Sequence, residues 1–423
     1  MTTITSVTAH QILDCKTRPM VEVEIRTSSG HIGRGAAPTG QSVGIHEAAV
    51  LRDGDPASYN GLSVHGAVAN VTNVIAPALV GRDIADQEQF DAILLGLDGT
   101  ERKSELGGNA VYSASVAFLR ASAAEAGRPV YRHIARDELR TIPVPSFNMV
   151  NGGRNGDILQ AFNEFIVVPH GAGSIDRAVE MGVTLFQQLG TTIETFTGRP
   201  AGVAKSYGYT APSDDPRVVL GLMRDAAEAC GFADQVSFAL DCASSEMYDS
   251  ATQSYELAGA RVSAAELVEF TRGLTEDFDL LFVEDLLDED DWAGFSLAVE
   301  RLPRTLVLGD DLIVTNRGRL DRAIQERAVD GFVLKPNQVG TITEALDTFD
   351  VATAHGLVAT PSGRSGGVID DIVMDLAVGL QVPFQKNGAP RSGERIEKLN
   401  FLMRAGDDIA GSELASLAGV SRF

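Results

Sequence analysis

The chain has 423 residues, 44% hydrophobic and 22% charged, the proportions of a folded globular protein long enough for two compact units or one large barrel with a smaller partner. Its 35 basic and 58 acidic side chains leave a formal charge of -23, which argues against nucleic acid and anionic membranes as partners. A small anionic substrate remains open where a few cations converge or divalent metals neutralise clustered carboxylates. No apolar run reaches the roughly 18 residues of a membrane span and the opening lacks a signal-peptide pattern. The three cysteines, Cys15, Cys230 and Cys242, form no CxxC pair, so a reducing, cytoplasmic setting is expected.

In chain order, residues 4 to 38 alternate as in Met20-Val21-Glu22-Val23-Glu24-Ile25 and turn at Ser28-Ser29-Gly30, which predicts an antiparallel meander. The Gly-rich stretch Pro38 to Gly44 matches no nucleotide-binding fingerprint and reads as a mobile loop, with a binding lid as the alternative. Helical patterns follow near 82–96 and 109–126, the second rich in Ala. Residues 1–135 therefore read as a small α+β domain, and residues 136–423 as a second domain in which short apolar strands alternate with helices.

Those strands are VSFALD at 236–241, LLFVED at 280–285, TLVLGD at 305–310, GFVLK at 331–335 and GLVAT at 356–360. Alternation of this kind predicts a parallel sheet with crossover helices. The polar ends of the first four, Asp241, Glu284, Asp310 and Lys335, are 43, 26 and 25 residues apart, close to the βα unit of a closed eight-stranded barrel. In such barrels catalytic groups sit at the C-terminal strand ends. Three carboxylates converging there supply hard oxygen ligands suited to Mg²⁺. Each taken singly also reads as a loop residue or helix cap.

Lys335, closing an apolar strand, is expected to be desolvated and its pKa lowered, so that a neutral amine serves as base. The bland alternative is a lysine paired with a carboxylate for charge balance. Further on, Arg364-Ser365-Gly366 and Lys386-Asn387-Gly388 offer cations and backbone amides for a phosphate or carboxylate. The isolated histidines, Trp292 and the acidic run Asp288 to Asp291 read as surface, packing and a solvated helix start.

Together these residues resemble the enolase family, the glycolytic phosphopyruvate hydratases, along essentially the whole chain. The resemblance rests on HEAAVLRDGD at 46–55, IAPALVGRDIADQ at 75–87, LDGTERKSELGGNA at 97–110, LDCASSEMYD at 240–249, VEDLLDEDDW at 283–292, GDDLIVTN at 309–316, LKPNQVGTITEAL at 334–346 and NGAPRSGERIEKLN at 387–400. It implies an α/β fold, an N-terminal α+β cap followed by a modified (β/α)8 barrel, two Mg²⁺ per site, and a homodimer or higher homo-oligomer. It further implies that Asp241, Glu284 and Asp310 hold the tighter Mg²⁺ and that loop residue Ser42 reaches the second. Lys335 becomes the base that removes the proton α to the carboxylate. Lys386 meets the substrate carboxylate, Arg364 and Ser365 the phosphate, and Glu164 lies near the leaving hydroxyl.

The departures from the family pattern fall on the leaving-group side, on the phosphate-side loops, on the first-domain stretch Asp14 to Pro19 and on the loop Gln41 to Gly44. Asn155 replaces a histidine after Asn151-Gly152-Gly153. Ala204-Lys205-Ser206-Tyr207-Gly208-Tyr209 replaces Gly-Asp-Glu-Gly-Gly-Phe, which removes the general-acid glutamate whether Ser206 or Tyr207 is aligned to it. Gly363-Arg364-Ser365-Gly366-Gly367 replaces His-Arg-Ser-Gly-Glu. Metal ligation and proton abstraction are retained, while the group that protonates the departing hydroxyl is gone, a loss of about 10²–10⁴ in rate.

Three readings follow. The leading one is a step like that of carboxyphosphonoenolpyruvate synthase, an enolase-like enzyme of phosphonate antibiotic pathways. It joins a phosphonoformyl group, carried as its cytidylyl ester, to a three-carbon phosphorylated acid. Asn155, Ser206 and Gly363 would make room for that cytidylyl phosphonoformate co-substrate, with Arg154 or Lys205 meeting its charge. The second is phosphopyruvate hydratase, with Glu164 as acid. The third is a non-catalytic enolase-like binding protein, which has no evident need of a complete ligand set.

Overall fold

The computed structural model describes residues 2–40, 43–84, 86–153 and 158–420. Strands Thr2–Leu13, Pro19–Thr27 and Ile32–Ala36 form the expected antiparallel meander. Alternation is the cause: Val21, Val23 and Ile25 are fully buried, while Glu22 and Glu24 between them stay partly exposed. A Cβ on Gly33 would stand 2.0 Å from the Ala117 carbonyl oxygen, and one on Gly35 2.1 Å from that of Ser113. The helix Gly108–Glu125 thus rests directly on the strand backbone, an approach that only glycine permits.

That helix is buried on nearly every side, which explains its small residues. Val111, Ala114, Ala117 and Phe118 pack with the meander, whereas Tyr112, Val116 and Leu119 pack with Ile342, Ile372 and Leu376 further along the chain. The preceding helix, Gln87–Asp98, starts at Asp86, whose carboxylate accepts the Gln89 amide, and stops at Gly99 in the left-handed region.

The remaining chain builds a barrel. Around it run Val358–Pro361, Gly331–Leu334, Leu306–Gly309, Leu280–Glu284, Ser237–Asp241, Gln160–Val168, Val144–Gly153 and Phe384–Lys386. A parallel bridge between Ser362 and Lys386 joins the two ends of this order. One strand departs from the parallel pattern expected from spacing: Gln160–Val168 lies antiparallel to both neighbours. The barrel is therefore of the modified kind.

Period-two alternation then decides what faces inward. Ala239, Phe282, Leu308, Phe384 and Ile166 share one apolar cluster, with Phe282 and Phe384 stacked at 5.5 Å between ring centroids. Two residues further along each strand stand Asp241, Glu284, Asp310, Lys386 and, on the reversed strand, Glu164. An apolar plug thus carries a charged rim. Glu164 lies in mid-strand, yet register pairs it with Asp241, and Asp241 with Glu284. Among the described residues no helix is long and apolar enough to cross a membrane.

Candidate functional site

A cleft of about 330 Å³ opens over this rim, lined by Glu164, Asp241, Asp310, Lys335, Arg364, Ser365 and Lys386 among others, a volume at the lower end for small-molecule sites. Seven of the ten side chains singled out from sequence therefore meet in one place. Glu284 lies directly beneath, fully buried. Ser42 and Asn155 fall outside the described residues.

Lys386 is the hub of the rim. Its Nζ donates to Asp241 Oδ2 at 3.0 Å and to Glu284 Oε2, and it stands 3.8 Å from Glu164 Oε2. Burial disfavours the ammonium, but these three carboxylates outweigh it and hold the group well above the usual lysine range. The opposite holds for Glu284, which burial and Asp241 push well above the carboxylate range. Glu164 is raised for the same reasons, against the pull of Lys386, and its Oε1 accepts the Asn148 amide at 3.0 Å.

Lys335 corrects the sequence expectation. It is buried as foreseen, and burial alone would lower its pKa. Its Nζ, however, is hydrogen-bonded to Asp310 Oδ2, and that carboxylate with Glu284 shifts the group upward instead. Asp310 is correspondingly held below the usual carboxylate range, because Lys335 outweighs burial. In this state Lys335 is an ammonium, the charge-balancing arrangement. Gln338 Nε2 donates to Asp310 Oδ1 at 2.9 Å, and Thr315 Oγ1 both donates to Gln338 Oε1 at 3.2 Å and accepts the Lys335 amide at 2.9 Å. This network fixes both members of the pair.

The donor set fits a hard divalent cation. Glu284 Oε1 is buried with no hydrogen-bond partner among the described residues, the signature of an oxygen awaiting a ligand. Asp241, Glu284 and Asp310 offer carboxylates from three adjacent strands. Among the described residues the one trio with oxygens all within 4.8 Å is Asp285, Asp310 and Asp311 instead. Asp285 is already committed, since its two oxygens accept the backbone amides of Asp310 at 2.9 Å and Asp311 at 2.8 Å. It positions the ligand loop. Asp311 is pushed up to about 8, by burial first and Asp310 second. Asp285, Asp311 and Gln338 were missed in the sequence; only the adjacency of Asp285 to Glu284 and of Asp311 to Asp310 could have flagged two of them.

On the far wall, Arg364 makes a two-pronged contact with Glu47, Nη1 to Oε2 at 2.7 Å and Nη2 to Oε1 at 3.0 Å, with both side chains buried. Glu47 also accepts the Gly44 amide at 3.0 Å, tying the Gly-rich stretch to the expected phosphate binder. Ser365 Oγ is buried with no partner among the described residues. Of Ser206 and Tyr207, Ser206 lines the cleft. Tyr207, with φ of 71°, donates its hydroxyl to the Cys15 carbonyl at 2.9 Å. Burial and Cys15 push that phenol up to about 12.

Residues 4–134 match the family described as enolase, N-terminal domain, and residues 139–422 match enolase, C-terminal TIM barrel domain. The chain belongs to the enolase family. It is 38% identical over 416 residues to the enolase of Methanopyrus kandleri, an alignment covering 97% of each chain. These matches agree with the strand-borne rim and lend more weight to the hydratase reading than to the phosphonate one.

Proposed function

We propose that this enolase-family chain is a Mg²⁺-dependent enzyme that converts 2-phosphoglycerate to phosphoenolpyruvate, with Lys335 as base and Glu164 as acid. The observation that carries it is the convergence of Asp241, Glu284, Asp310, Lys335, Lys386 and Glu164 on one rim. The relative named enolase supports the same reading.

Lys386 meets the substrate carboxylate, and Ser365 with Arg364 meets the phosphate once Arg364 exchanges Glu47 for it. Ser42 from the loop and Asn155 near the leaving group complete the proposed site. Bound Mg²⁺, one or two per site, would neutralise Asp241, Glu284 and Asp310 and stabilise negative charge developing on the substrate carboxylate. With Asp310 holding such a cation, Lys335 would lose the partner that keeps it protonated and, being buried, could serve as the neutral base for the α-proton. Glu164, raised by burial and Asp241, holds the proton that the departing hydroxyl needs.

One observation favours a second reading. Ser206 leaves the far wall without the bulk of a glutamate, while the space beside Gly363 is taken by the Lys398 ammonium. That is the room a carboxyphosphonoenolpyruvate synthase-like step needs for its phosphonoformyl co-substrate.

The Mg²⁺-loaded protein incubated with 2-phosphoglycerate in D₂O, followed by ¹H and ³¹P NMR, separates the two. Phosphoenolpyruvate formed from 2-phosphoglycerate alone supports the hydratase. Exchange of the α-proton without that product overturns it, and turnover only after cytidylyl phosphonoformate is added establishes the second reading.

A further inference from the structure

Lys398 is the least expected cation of the cleft. It belongs to the helix Gly393–Asp408, lines the cleft together with Arg395 of the same helix, and is only 7% exposed. Its Nζ lies 2.7 Å from where a Cβ on Gly363 would stand, so the ammonium fills space that any side chain at 363 would take. Among the described residues no hydrogen bond, and no ion pair within 4.0 Å, reaches that ammonium; Asp371 and, more weakly, Glu394 are the carboxylates that act on it. One Asp371 oxygen is likewise buried without a hydrogen-bond partner.

Two further cations share this corner. Arg395, 4% exposed, is anchored by donating to the Ser206 carbonyl, by Glu394 at 3.4 Å and by the Tyr207 ring at 5.0 Å. Lys16 reaches Ser206 Oγ at 3.5 Å. A buried ammonium without a bonded carboxylate is costly unless something else meets it.

We propose that Lys398, Arg395 and Ser206 form a second anion subsite beside Arg364 and Ser365, built for a tetrahedral phosphorus oxyanion carried by a substrate or co-substrate larger than a three-carbon monophosphate. The proposal rests on this cleft being the substrate site, whichever reaction runs there. Lys398 and Arg395 supply charge, Ser206 a hydroxyl, and Gly363 the opening through which the ammonium reaches the ligand.

The test is calorimetric titration of the Mg²⁺-saturated protein with inorganic phosphate and, separately, methylphosphonate. Wild type is expected to bind two anions per chain. Lys398→Met should lose one of the two, weakening it by about tenfold or more. Gly363→Ala should do the same while leaving the charge in place, because its Cβ displaces the flexible end of Lys398; it also keeps the test valid if Lys398→Met folds poorly. The anion bound more tightly shows whether the subsite serves a phosphate ester or a phosphonate. A single site in wild type, or two unaltered sites in both variants, overturns the proposal. No turnover is involved, so a failed hydratase assay and a failed subsite remain distinguishable.

Discussion

On one wall of the cleft, Asp241, Glu284, Asp310 and Lys386 stand on or at the end of barrel strands, each two residues beyond an apolar side chain of the barrel plug. On the other, Ser206, Gly363 and Ser365 sit on loops, backed by Lys398 and Arg395 from a helix. By the resemblance, the strand-borne wall keeps the expected residue types, while the loop-borne wall keeps Ser365 and departs at Ser206 and Gly363. Strand register couples each rim residue to its neighbours, so changing one disturbs several, whereas a loop residue can change alone. On the proposed function, the difference separates charge neutralisation and proton abstraction, with Glu164 as acid, on the strand-borne wall from phosphate binding on the loop-borne one.

The sharpest way to break this division is Lys335→Met. If the strand wall carries proton abstraction, α-proton exchange of 2-phosphoglycerate in D₂O should fall by about 10²–10⁴, with the melting temperature changing far less. Retained exchange would move the base elsewhere. Next comes Glu284→Gln, which removes the charge of a fully buried carboxylate. Mg²⁺ affinity should drop by at least the ~10–100-fold seen for disturbed supporting groups, and the rise in melting temperature on adding Mg²⁺ should shrink with it.

The two walls also differ in how far sequence alone exposes them. Strand-end carboxylates announce themselves, because a short apolar run stopping at Asp241, Glu284 or Asp310 places each at the same height of a barrel. Glu164 was reached only through family resemblance: it sits inside a reversed strand, and nothing in the spacing marks Gln160–Val168 as antiparallel. Lys335 was located correctly but misjudged in charge, since burial is readable from an apolar strand and the approach of Asp310 is not. Arg395 and Lys398 were missed because a helix far along the chain brings them to the cleft, and such long-range contacts leave no local pattern. The meander and the Ala-rich helix were legible because alternation and small-residue spacing are local signals.

A change on the loop wall should have a smaller effect, and of opposite sign. Ser206→Glu returns a carboxylate to the cleft, next to Lys16 at 3.5 Å from the present hydroxyl. If the missing acid limits dehydration, phosphoenolpyruvate formation should rise about tenfold or more, read as product appearance from 2-phosphoglycerate. No rise would mean that Glu164 already meets the need.

The smallest effect concerns Asp311, where the strand wall carries more negative charge than it can hold bare. Its carboxyl is raised from the model-compound value of 3.8 to about 8 by burial and Asp310. Between those pH values the metal-free folded protein keeps a proton that the unfolded chain has lost. Stability contributed by this group therefore falls as pH rises from about 4 to 8, with a slope of up to about 1.4 kcal/mol per pH unit. Asp311→Asn should flatten that fall in denaturant titrations of the metal-free protein. A cation placed beside Asp310 should expel the same proton, so calorimetric Mg²⁺ binding near pH 7 in buffers of different ionisation enthalpy should report net proton release in wild type and less in Asp311→Asn. Equal release in both would locate the excess charge elsewhere on the rim, with Glu284, also raised by burial and Asp241, as the next group to substitute.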